Sequence, residues 1–213
     1  MSRRNFSPGT LLAPVPVVMV TCGSAEEGTA NIITVAWTGI VNSNPPMTYV
    51  SIRRERFSHH LISESGEFCI NLVTEQLVRA TDWCGVQSGK DHDKFAETGL
   101  TMEECSRVSC PSIKESPLCL ECRVQEVHSY GSHDMFVAEI VNMSTDEALV
   151  DGSGRIRLDR VGLVSYCHGE YFPLKKMPLG RFGFSVMKKK TKKKLAARRR
   201  GAARKRAREK HRK

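Results

Sequence analysis

The sequence predicts a mainly β protein, a barrel of mostly antiparallel strands decorated with short helices. Three observations lead there. From Leu118 the polarity alternates, with Leu118, Leu120, Cys122 and Val124 on one side and Cys119, Glu121, Arg123 and Gln125 on the other, and Met135 to Met143 alternates in the same way. Between Asn31 and Arg54, runs rich in β-branched and aromatic residues flank a polar turn that ends in Pro45-Pro46. The stretches with helical signals are brief, and glycines stop them at positions 66 and 99.

Taken in order, Val15 to Val20 is a first strand ending at Thr21-Cys22-Gly23, and the turn Ser24 to Gly28 folds it back on the next strand as a hairpin. The segment from Gly28 to Arg54 supplies strands two and three around the loop Asn42 to Pro46. Ser58 is placed to cap a helix over His59 to Ser65, and Phe68 to Leu72 reads as another strand. Thr74 can cap a helix through about Trp83, with Glu75 and Gln76 suiting its first turn. Ser88 to Phe95 is a polar loop leading into a short helix. Residues 101–117, with Pro111 and Pro117, read as a surface loop. The last two strands make a hairpin around Tyr130 to Asp134, with His133 near its apex.

The chain has 213 residues, enough for one domain with a sizeable core. Its formal charge of +10 is unevenly placed. Residues 188–213 hold 16 of the 33 Lys and Arg and a single acid, Glu209, for a net +15; the remaining residues carry 17 basic and 22 acidic groups, a net −5. The expected organisation is therefore a domain over 1–187 and a basic, disordered tail over 188–213, which has too little apolar surface to offset chain entropy. The tail is either a solubilising or incidental extension, or a non-specific, salt-sensitive contact for nucleic acid through Lys188 to Lys213. No signal-peptide pattern opens the chain: Met1 to Thr10 is polar, and two prolines interrupt Leu11 to Val20. No run reaches the length of a membrane span, and a cytoplasmic protein with reduced cysteines is expected.

Asn31, Thr34 and Trp37 recur at spacing three inside an apolar run, where a solvated strand face would show spacing two. A bulge or irregular backbone beside a ligand accounts for that. Cys119 and Cys122 have the spacing of a redox or zinc pair, but strand residues three apart face opposite ways. No second Cys-x-x-Cys or suitably spaced His pair completes a zinc set, so no metal site is expected. Cys84 is the cysteine to test for redox chemistry, with a buried inert thiol as the plainer reading.

Asn31-Ile-Ile-Thr-Val-Ala-Trp37, the Pro45-Pro46 turn into Tyr49-Val-Ser-Ile-Arg53, Ser65-Gly-Glu-Phe-Cys-Ile-Asn71 and Ser88-Gly-Lys-Asp-His-Asp-Lys94-Phe95 together resemble the flavin reductase-like proteins, most closely the flavoredoxin branch. The similarity covers roughly residues 10–187. It implies an FMN-binding split barrel of Greek-key type, usually a homodimer with flavin near the subunit interface. It places flavin contacts on Asn31, Trp37, Ser58, Lys94 and His133, with an aromatic that is either Tyr166 or Tyr171. Thr34, Ser43 and Ser88 fall within or beside the same motifs and join the candidates. The chemistry suits those residue types: FMN needs an anchor for its phosphate, apolar cover for the ring, and polar groups at the ring edge. Lys94 would supply the cation and Ser58 a hydroxyl at a helix start. Arg53 and Arg54 are further phosphate candidates, and adjacent strand residues face opposite ways, so one of them serves. Adjacency likewise prevents His59 and His60 from sharing one ligand. The implied activity is an FMN-dependent oxidoreductase passing electrons from reduced nicotinamide, or a redox-protein donor, to a second acceptor. The alternatives are an FMN electron carrier without nicotinamide turnover and a polyanion-binding protein acting through its tail. No Gly-x-Gly-x-x-Gly fingerprint is present, so any nicotinamide must meet the flavin directly.

Overall fold

The chain is described by a computed structural model covering residues 2–175, 177–180 and 182–188. Most of the tail therefore lies outside the described residues. The strands and helices follow in order as β1 (Val15–Pro16), β2 (Val18–Cys22), β3 (Asn31–Val35), β4 (Thr38–Ser43), β5 (Pro46–Arg53), α1 (Phe57–Ser65), β6 (Glu67–Leu72), α2 (Val78–Val86) and α3 (Lys94–Thr98). The two-residue β7 (Met102–Glu103) and β8 (Ser112–Ile113) come next, then the long β9 (Leu118–Ser129) and β10 (His133–Thr145), and finally β11 (Val164–Cys167) and β12 (Glu170–Pro173). The chain divides into one unit over Met1–Lys176 and a second starting at Met177; all that follows concerns the first.

Seven strands form an antiparallel sheet in the order β3-β2-β6-β9-β10-β5-β4, and β1-β11-β12 form a separate three-stranded sheet. The fold is mainly β with a few short helices, as expected. Alternation decides which side chains turn inward: Val20, Ile33, Val50, Phe68, Cys122 and Phe136 fill one buried cluster, closed at one end by Leu61 and Ile62 of α1. The opposite face of β2 and β3 is buried as well, where Met19 and Ile32 meet Cys84 of α2, Phe95 of α3 and Val164 of β11. Burial on both faces explains why β2 shows no polar alternation.

The first hairpin, the β9–β10 hairpin and the left-handed stop of α1 at Gly66 (φ 67°) are as expected. Several local readings change. The first strand splits into β1 and β2, which belong to different sheets, and β7 and β8 pair within the stretch read as a surface loop. The Gly28 to Arg54 segment holds three strands rather than two, because the chain turns a corner at Ala36–Trp37 and β4 then pairs with β5 through a bulge between Ile40 and Asn42. The corner redirects Trp37 alone; Asn31 and Thr34 lie in a regular β3 and face opposite ways, so the spacing of three does not mark one irregular face. Helix α1 starts at Phe57 with Arg56 as N-cap, so Ser58 lies within its first turn instead of capping it. Thr74 precedes a 3₁₀ turn over Glu75–Leu77 and makes no side-chain cap; the α-helix begins only at Val78. The β11–β12 hairpin, too short for a clear periodic signal, is an addition that local pattern does not reveal.

Candidate functional site

Two cavities meet beside β3. The larger, about 580 Å³, is lined by Thr34, Trp37, Arg53, His133, Tyr166 and Tyr171 among others. The smaller, about 170 Å³, is lined by Asn31, Ser58, Ser88, Gly89 and Lys94. Ile33 and Arg56 line both, so the two are neighbours.

In the larger cavity the β3–β4 corner presents Trp37, which stays 43 % exposed. Its ring lies 4.6 Å from that of His133, tilted by 41°. The β5–β10 register pairs His133 with Arg53, putting a guanidinium beside the imidazole. Burial and the charge of Arg53 hold the His133 pKa below its ordinary value, favouring the neutral ring. Arg54 turns away and clasps Asp134, with Nη2 donating at 2.9 Å and Nε at 3.1 Å, and His59 Nε2 meets the same carboxylate at 2.9 Å. Of the two arginines, Arg53 therefore faces the cleft, and His59 belongs to a structural triad. Tyr166 and Tyr171 are paired across β11–β12 with ring centroids 5.6 Å apart. The Tyr171 hydroxyl donates to Asp82 at 3.1 Å, and burial together with that carboxylate pushes its pKa up to about 12. The phenol therefore stays protonated.

Thr34 reaches the larger cavity but commits its hydroxyl to helix packing, donating to the Thr81 carbonyl of α2. The same helix approaches closely at Gly85, where a Cβ would sit 3.2 Å from Thr34 Cβ. Asn31 and Thr34, three apart on one strand, face opposite ways and reach different cavities.

The smaller cavity is built around Lys94, which is 3 % exposed. Its Nζ donates to the carbonyls of Ile32 (2.7 Å) and Cys84 (2.8 Å). An ammonium has three donors, and these carbonyls take two. Among the described residues no Asp or Glu oxygen lies within ion-pair distance of Nζ. Burial lowers the Lys94 pKa from the ordinary lysine value. Asn31 Nδ2 donates to Ser58 Oγ at 2.7 Å, which leaves the Ser58 hydroxyl proton for another acceptor. Gly89 presses on this pair: a Cβ there would lie 2.1 Å from Asn31 Oδ1, so only glycine fits. Helix α1 points its start here with no side-chain cap and no acidic residue in its first turn. Glu55 also lines the cavity and is paired with Arg53 at 3.3 Å.

Ser88 lines the smaller cavity, its hydroxyl accepting from Lys90 N at 3.2 Å. Ser43 lies opposite Pro46 at the end of β4 and lines neither cavity. Cys84 lines the smaller one, but burial pushes its thiol up to about 11 and leaves it a poor nucleophile. Cys122 and Cys119 do face opposite ways, one in the barrel core and the other in a separate cluster. Sequence reasoning overlooks Arg56, which lines both cavities, and Gly89. The run of three arginines between 53 and 56 was the available signal for the first; the second needs the tertiary contact.

Residues 11–175 match the family model described as "Flavin reductase like domain". The chain belongs to the flavin reductase-like family. Its structure is similar to flavoredoxin of Desulfovibrio vulgaris (Miyazaki F), with a TM-score of 0.79 and 27% identity over 86% of this chain and 100% of that one. It is also similar to flavoredoxin from Methanosarcina acetivorans, with a TM-score of 0.78 and 26% identity over 88% and 100% of the two chains. An uncharacterized protein of Archaeoglobus fulgidus is 35% identical over 141 residues, 66% of this chain and 78% of that protein. As a flavin reductase-like protein the chain has a flavin-related oxidoreductase role. The site fits a flavin on its own terms. The larger cavity falls within the roughly 300–1,000 Å³ of small-molecule sites and offers aromatic walls, while beside it sits a buried ammonium lacking a carboxylate, the complement of an anionic group.

Proposed function

We propose that this flavin reductase-like protein binds FMN and passes electrons from reduced nicotinamide, or a redox-protein donor, to a second acceptor. The observation that carries the reading is Lys94, a buried cation whose two fixed partners are neutral carbonyls. Such a charge is costly unless an anion completes it. A phosphate in the smaller cavity would meet Lys94 Nζ, the Ser58 hydroxyl and the start of α1, with Arg56 at the junction of the two cavities. Riboflavin lacks that group, which makes FMN the better fit.

When bound, the flavin supplies two-electron chemistry, accepting a hydride and releasing electrons. The chain's residues hold and shield it. Trp37, Tyr166 and Tyr171 give the tricyclic ring apolar cover, and the exposed Leu11 and Leu12 add an apolar rim. Arg53 and His133 put donors beside Trp37, where a polar ring edge gains negative charge on reduction. Asn31 bonds Ser58 in the smaller cavity, with the Gly89 backbone packed against its amide. No side chain is assigned as a general base, since a bound flavin would supply the redox chemistry. The edge strand β4 carries exposed Ile40 and Val41, which supports a homodimer through that face.

The test is spectroscopic. Purified protein should be yellow, or become so with FMN at saturable stoichiometry, and stopped-flow mixing with NADH and NADPH should bleach it. A protein that binds FMN but stays oxidised with both nucleotides is a carrier fed by another protein. A protein that neither copurifies with flavin nor binds it saturably refutes the proposal.

A further inference from the structure

Local spacing gave no reason to expect converging thiols, yet the fold assembles four at one place away from both cavities. Cys69 of β6 and Cys119 of β9 share a sheet face, because the register sets Cys69 opposite Glu121 and Asn71 opposite Cys119. The loop between β7 and β8 folds over that face and adds Cys105 and Cys110. Cys69 Sγ lies 3.3 Å from Cys105 Sγ and 3.5 Å from Cys110 Sγ. The sulfurs of Cys69, Cys105 and Cys119 all lie within 4.8 Å of one another.

We propose that Cys69, Cys105, Cys110 and Cys119 bind a single structural Zn²⁺. Thiolates at about 2.3 Å from a tetrahedral zinc stand about 3.8 Å from one another; Cys69, Cys105 and Cys119 already lie on that scale, and Cys110, 3.5 Å from Cys69, is the fourth sulfur that has to draw in. At 3.3 and 3.5 Å from Cys105 and Cys110, the Cys69 sulfur is not joined to either as a disulfide. The soft, all-sulfur donor set suits zinc over harder cations. On binding, each S–H gives its proton to solvent and each sulfur donates an electron pair to the metal, with no change in oxidation state.

The loop is braced for this. Glu121, 1 % exposed, accepts from Ser106 N at 3.2 Å and Arg107 N at 2.6 Å, and Asn142 Nδ2 donates to it at 2.6 Å. Glu67 accepts from Ser109 N at 2.9 Å, and Arg123 Nη2 donates to the Arg107 carbonyl at 2.8 Å. Both carboxylates are thereby committed to shaping the turn between Cys105 and Cys110, leaving sulfur as the available ligand. None of the four cysteines lines either cavity, so the site is independent of the flavin reading.

The experiment is elemental analysis of the full-length protein purified under reducing conditions, followed by Co²⁺ loading after chelation. Zinc at one ion per chain, with Co²⁺ producing the visible bands of tetrahedral thiolate coordination, is the expected result. Cys105→Ser, in the loop, should lose the ion and the cobalt bands, while Cys122→Ser, in the barrel core, should keep both. Protein that holds no zinc and takes up neither Zn²⁺ nor Co²⁺ when fully reduced overturns the proposal, as does equal metal loss in the two variants.

Discussion

Asp134 shows how a single side chain ties the barrel to its pH range. Arg54 and His59 both bond its carboxylate, and the Arg54 contact foremost draws its pKa from 3.8 down to about 2. Because the folded-state pKa is depressed, the stabilisation is complete above about pH 4 and is lost as the pH falls towards about 2. The urea midpoint of Asp134→Asn should therefore lie below wild type at neutral pH, with the gap closing as the pH approaches about 2. A gap that stayed constant down to that pH would contradict the assignment. Thr34 is a second case at this scale: Thr34→Val should cost about 1 kcal/mol, the value of one hydrogen bond to α2, and leave flavin affinity nearly unchanged. That only one of Arg53 and Arg54 would serve was legible in sequence; which one was not, because Arg54 lies in the turn beyond β5 and is taken by Asp134. What Thr34 bonds was not legible either, since its partner lies 47 residues away on a helix whose packing no local pattern reports.

At the scale of elements, the long hairpin of β9 and β10 and the stop of α1 follow from alternation and a single glycine, and both were readable. The corner at Ala36–Trp37 was readable only as an anomaly of spacing. Its meaning depends on β4 leaving β3 to pair with β5, a non-local event. The loop before α3 is decisive for the site. Gly89 brings its backbone against Asn31, so Gly89→Ala should displace the buried Asn31–Ser58 pair, lowering both FMN affinity and the melting temperature. Undiminished FMN affinity in that variant would show that the pair does not shape the site. The loop over 101–117 was readable, but the convergence of thiols beneath it was not, because the four cysteines come from two strands and a turn with no compact spacing to announce them.

For the molecule as a whole, the barrel core is the main source of stability, and Phe68 and Phe136, both fully buried, lie at its centre. Phe136→Ala should destabilise by about 3–5 kcal/mol, measured by urea unfolding of the flavin-free protein. The charge division is equally a whole-chain property: a body of net −5 and a tail of net +15. Truncation after Met187 should leave flavin binding intact, and retention on immobilised RNA with and without the tail separates a polyanion contact from an incidental extension. The cleft, its aromatic walls and the buried lysine together support the proposal that this chain holds a flavin by its phosphate. Equilibrium titration of the wild type and Lys94→Met with FMN and with riboflavin tests it most directly. The expected result is saturable, tighter binding of FMN by the wild type, and a loss of roughly tenfold to a hundredfold for FMN alone in the variant. Equal losses for both flavins, or no saturable binding of either by the wild type, would contradict it.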